Sequence, residues 1–124
     1  MNTMANSQID YQPLQDTLEN ERVDLAKELK SEMLLNAVSP SMEELNKLDL
    51  YDLLALAKAA YIPNLYKLAT RLEVVDAAVC SIRFGLYGLC ADCEEEIDLA
   101  DLEVDPAQPR CRHCREHSRY HHDA

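Results

Sequence analysis

A chain of 124 residues suits one domain, or one helical body with a small appendage. Its formal net charge of −11 argues against a nucleic-acid or anionic-membrane surface, because phosphate affinity comes from clustered Lys and Arg, and favours basic protein partners instead. With two Gly, five Pro and no Trp it has little turn chemistry for an all-β fold, whereas Leu, Ala, Glu and Lys are good helix formers; a mostly α fold follows.

Residues 1–12 are polar and unpatterned and read as a flexible tail; "MNTMANSQID" has neither the basic nor the apolar region of a secretory signal. From Leu14 the spacing becomes helical, with Leu18, Leu25, Leu29 and Met33 on one face, and Pro40 predicts a stop near Val38. In "SMEE", Ser41 and Glu44 form a capping box that opens a second helix, Met42 to Ala60. Its stretch from Leu50 to Ile62 is unusually apolar. Leu50, Leu53, Leu54, Leu56 and Ala57 cover more than one face, which predicts packing on two sides or self-association through this apolar helix.

Pro63 predicts a kink or a restart, with one continuous helix from Met42 to Phe84 as the alternative. Beyond it, Leu65, Leu68, Leu72, Val75, Val79 and Ile82 recur at alternating steps of three and four, a heptad seam for an antiparallel or coiled partner. "FGLYG", Phe84 to Gly88, ends it. No stretch is long and apolar enough to span a bilayer, and without an export signal the expected compartment is the cytoplasm. There clustered cysteines bind metal more often than they form disulfides.

Four of the five cysteines form two Cys-x-x-Cys pairs, Cys90 with Cys93 and Cys111 with Cys114, separated by seventeen residues. Two such knuckles complete a tetrahedron, the spacing of four-cysteine zinc sites. Four thiolates leave no open coordination position, so one structural Zn²⁺ per chain is expected, and no catalytic constellation competes with it. The segment between the pairs is acidic, which argues against redox chemistry at Cys90 and Cys93 by disfavouring thiolates. Arg110, Arg112 and Arg115 would offset the charge of a tetrathiolate centre, and His113, His117, His121 and His122 read as a solvated tail. The chain thus divides into a flexible tail (1–12), a helical hairpin or three-helix body (13–85), a C-terminal four-cysteine zinc finger (86–118) and a His-rich tail (119–124).

Through Tyr87, Gly88, Cys90, Cys93, Ile97, Leu102, Glu103, Pro106, Cys111 and Cys114, the last third of the chain resembles the DksA/TraR family of bacterial transcription regulators. The resemblance implies a coiled-coil hairpin joined to a zinc finger. It also implies binding of RNA polymerase through the secondary channel and modulation of initiation without contact to DNA. Glu94 departs from the family's usual glycine, and Asp101 and Asp105 stand where basic residues are common, so response to guanosine tetraphosphate does not carry over. Family hairpin tips carry two acidic residues three apart. Asp49 and Asp52 have that spacing, and Glu43 and Glu44 lie nearer the turn at Ser39–Ser41. Two other readings stay open: a zinc-ribbon adaptor between proteins, and a zinc-releasing thiol switch.

Overall fold

The structure is a computed structural model that describes residues 9–117. Among the described residues it has six helices: α1 (Gln12–Leu35), α2 (Met42–Asn46), α3 (Leu50–Ala59), α4 (Pro63–Arg83), α5 (Leu99–Val104) and α6 (Arg112–His117). Extended structure among them is limited to an isolated antiparallel bridge between Leu89 and Glu96. The mostly α expectation holds. None of these helices is long and apolar enough to cross a membrane. The described residues form two compact units, one made of residues 20–77 and the other of residues 9–19 with 78–117.

The unit of residues 20–77 is built on apolar burial. Leu29 and Met33 of α1, Leu45 of α2, Leu53, Leu54 and Ala57 of α3, and Leu65, Ala69 and Leu72 of α4 form one core. Within this unit α1 and α4 run antiparallel. Arg71 grips Glu21 through Nε and Nη2 at 2.8 and 3.1 Å, Arg22 meets Asp76 at 3.2 Å, and Asn64 donates to Glu32 at 3.0 Å. The seam of α4 faces inward, with Leu65, Leu72, Val75 and Val79 buried.

The chain breaks have local causes. After α1, Ala37 adopts a left-handed φ of 57°, while the Val38 N–H donates to Met33 O at 2.9 Å and the Ala37 N–H to Leu34 O at 3.0 Å. This pair of hydrogen bonds is a Schellman closure, which satisfies carbonyls the helix end would leave bare. Ser41 Oγ caps α2 by accepting from Glu44 N at 3.2 Å, as expected, but the Glu44 carboxylate pairs with Lys47 at 3.0 Å. Pro63 begins α4, where a missing N–H costs nothing, and the turn before it bends at Tyr61 with φ 57°.

Two expectations require correction. The second helix is not continuous from Met42 to Ala60: it stops at Asn46 and restarts at Leu50, because the Asp49 carboxylate accepts from Asp52 N at 2.8 Å and caps a new helix. Nor is that segment buried on two sides, since Tyr51 and Leu56 are exposed while Leu53, Leu54 and Ala57 face the core. The alternative of one helix from Met42 to Phe84 also fails, at both breaks.

In the other unit, α4 closes with the same device as α1. Gly85 lies at φ 72°, and Leu86 N donates to Ser81 O at 2.8 Å. Beyond it Cys90, Ile97 and Leu102 form a small buried cluster, packed by Tyr11 and Leu14 from the opposite end of the sequence, and by Tyr87. The Tyr11 and Tyr87 rings meet edge to face at 5.3 Å. A methyl group on Gly88 would lie 2.9 Å from the Tyr11 hydroxyl oxygen, so this close approach requires glycine, as does its φ of 90°.

Candidate metal centre

The two knuckles have the same local design. Glu94 N donates to Cys90 O at 2.9 Å, and Arg115 N to Cys111 O at 3.0 Å, so each Cys-x-x-Cys closes one tight turn. The Leu89–Glu96 bridge and Cys90 N on Glu95 O at 2.8 Å close the flanks of the first turn on each other, and Ala91 N on Pro109 O at 2.8 Å ties it to the segment leading into the second. Tyr87 reaches across to donate its hydroxyl to Pro106 O at 2.7 Å. As a result the thiols of Cys90, Cys93, Cys111 and Cys114 all lie within 4.8 Å of one another.

Sulfurs tetrahedrally arranged at about 2.3 Å from one zinc ion stand about 3.8 Å apart. The Cys93 and Cys111 sulfurs, one from each knuckle, are 3.7 Å apart. The donor set therefore fits a closed tetrahedral ion of the zinc class, and soft thiolates disfavour magnesium or calcium.

The electrostatics refine the sequence reading. Burial opposes ionisation of Cys90, but the backbone amides of Cys111, Cys93 and Asp92 outweigh it and bring this thiol down to about 6. The acidic neighbourhood was expected to disfavour thiolate at Cys90; directed amides overrule nearby, solvated carboxylates. Cys114 is pushed up, by burial first and then by the other three thiols. Gathered thiols cannot all ionise without a cation among them, which is the condition a bound metal meets.

The arginines address carboxylates. Arg110 reaches Asp92 at 3.7 Å, joining the knuckles, and Asp101 receives Arg112 at 3.4 Å and Arg115 at 3.1 Å. Asp101, whose side chain is 14% exposed, thus ties α5 to α6 at a position where the resemblance leads one to expect a base. Asp105 accepts from Ala107 N at 3.1 Å and shapes the following turn. Glu94 stands at φ 65°, the left-handed region, so the glycine common in the family has a structural reason that this chain forgoes.

Asp49 and Asp52 lie at the start of α3, both exposed, with the Asp49 carboxylate committed to its cap. Glu43 and Glu44 are exposed in the first turn of α2. Both pairs belong to the unit of residues 20–77, and the four thiols to the other. His113 and His117 lie on α6, whereas His121, His122 and the rest of the expected His-rich tail (119–124) lie outside the described residues, as do residues 1–8 of the expected N-terminal tail. The contribution of Tyr11 to the finger was not foreseen; an aromatic residue just before a helical stripe was its one signal.

A helical hairpin carrying a four-thiol knuckle pair is the fold of the DksA type, and both the fold and the cysteine cluster fit the DksA/TraR pattern. It is similar to the solved structure of transcription factor DksA2 from Pseudomonas aeruginosa, with a TM-score of 0.63 and 20% sequence identity over 100% of both chains. No family model matches the sequence, and no curated protein does.

Proposed function

We propose that this chain is a DksA/TraR-type regulator that holds one structural Zn²⁺, binds RNA polymerase through the secondary channel and modulates initiation without contacting DNA. The observation that carries the reading is the full-length likeness of fold to a transcription factor. Cys90, Cys93, Cys111 and Cys114 would hold the metal, whose closed coordination serves folding and not catalysis. The net charge of −11 agrees with a protein partner and disfavours phosphate contacts. We assign the partner contact to Asp49 and Asp52, with Asp49 also fixing the helix start that presents Asp52, and Glu43 and Glu44 are the runners-up. A cytoplasmic, non-enzymatic role follows from this reading.

The decisive experiment is a pull-down of core polymerase by the zinc-loaded protein, followed by abortive initiation at a ribosomal promoter. Asp49→Asn with Asp52→Asn preserves the cap, because asparagine caps as well as aspartate. Binding that persists while the transcription effect disappears is the expected result. Absence of binding at physiological salt would sink the proposal.

One observation favours the adaptor reading. An open groove of about 680 Å³ on the unit of residues 20–77 is lined by Tyr61, Ile62, Pro63, Tyr66 and Val74, with Tyr61 91% exposed. Retention of polymerase binding after Tyr61→Gly would separate that groove from the polymerase contact.

A further inference from the structure

The histidines near the C-terminus are unused by the reading above. His113 and His117 are four residues apart on α6, a spacing that puts both imidazoles on one helix face. Their ring centroids are 4.3 Å apart with planes inclined by 36°, and both residues are exposed. His117 Nδ1 lies 2.8 Å from the backbone oxygen of His113. A carbonyl oxygen only accepts, so Nδ1 carries the proton and Nε2 is the basic nitrogen. An imidazole anchored through Nδ1–H to a backbone carbonyl is the arrangement that orients metal-ligating histidines.

The surroundings attract cations. His113 lines a surface cavity of about 350 Å³ together with Glu95, Glu96 and Asp98, against the one cation Arg112 in its lining, and the cavity also borders Cys93 and Cys111 of the thiol cluster. Clustered carboxylates raise the local concentration of divalent ions. The sequence repeats the same step once more, with His121 four residues beyond His117 and His122 adjoining it.

From this juxtaposition we propose that His113 and His117 form a second, exchangeable site for a borderline transition-metal ion such as Zn²⁺ or Ni²⁺, separate from the four-thiol centre. Imidazole selects such ions over Mg²⁺ and Ca²⁺. Two protein ligands leave most coordination positions to water, so this ion exchanges where the thiol-bound one does not. The four cysteines offer no comparable opening, and the two sites are distinguishable by lability.

The test uses the full chain, zinc-loaded and freed of loosely held metal by gel filtration. Its retained zinc is counted first by atomic absorption, so that a failure of the four-thiol centre is seen separately. Calorimetric titration with NiCl2 should then show one further ion per chain, with no release of the retained zinc. His113→Gln and His117→Gln should each weaken this binding about tenfold or more and leave the retained zinc unchanged. His121→Gln with His122→Gln should weaken it by less than either. The proposal is overturned if no further ion binds, if nickel binds only by expelling the retained zinc, or if binding disappears with His121 and His122 and survives both helix variants.

Discussion

The unit of residues 20–77 and the finger use different sources of stability. The first buries nine residues in one continuous apolar core, all carbon-rich except for the sulfur of Met33. The finger's cluster holds three buried residues, one of which is Cys90, and depends on Tyr11, just before α1, and Leu14, in its first turn, to cover them. Apolar burial contributes roughly 25 cal/mol per Å², so a cluster of this size cannot by itself order a loop-rich segment. Each region should therefore fail by its own route.

Metal removal has the largest expected effect. Zinc ligation contributes about 10–16 kcal/mol in small zinc fingers. Excess chelator, or Cys114→Ser, should abolish amide protection across residues 86–117 while α2 and α3 keep theirs. Hydrogen exchange read by fragment would check this, and a finger that stays protected without metal would break the comparison. Ligation also requires thiolates, so protons compete with the metal and acidification should release it.

Leu72→Ala attacks the other unit. Leu72 is fully buried in the apolar core, and its truncation should cost about 2–5 kcal/mol in urea unfolding. The retained metal count should not change. Loss of metal in that variant would show the two regions to be one cooperative system.

A smaller effect concerns Tyr87. Burial, then the neighbouring Tyr11 and Asp105, push its hydroxyl from 10.0 up to about 12. The folded value lies above the unfolded one, so the fold favours the neutral phenol. That contribution is complete below pH 10 and is lost as pH rises through about 12. Tyr87→Phe should lack this alkaline loss, as thermal melts across that range would reveal.

The smallest effect should be a gain. Glu94 holds a left-handed φ of 65°, and a non-glycine residue there costs about 1–2 kcal/mol. Glu94→Gly should recover about 1 kcal/mol after the added entropy of glycine in the unfolded chain. Thermal denaturation of the metal-loaded protein would detect it. A loss would mean that the Glu94 side chain makes a stabilising contribution that outweighs the strain.

Much of this architecture was legible because its signals are local. Pro63 marks the start of α4, Ser41 caps α2, and the seam from Leu65 to Ile82 has the period of a packed helix. The four cysteines announce their cluster through spacing alone, since Cys-x-x-Cys closes its own turn. What escaped was of two kinds. The break before α3 depends on Asp49 acting as a cap between Leu48 and Leu50, where flanking leucines make the segment look like an unbroken apolar helix. The finger's use of Tyr11, and the balance of amides against acids at Cys90, depend on pairings between distant residues that no short window contains.

The edge-on pair of Tyr11 and Tyr87 gives the molecule an optical signature. The chain has six tyrosines and no tryptophan, so its near-ultraviolet dichroism comes chiefly from tyrosine. Tyr51, Tyr61 and Tyr66 are exposed, whereas Tyr11 and Tyr87 are packed at 89° beside the thiol cluster. Ordered aromatic packing is what this band reports. The far-ultraviolet band therefore follows the helices of both regions, while the tyrosine band follows the finger.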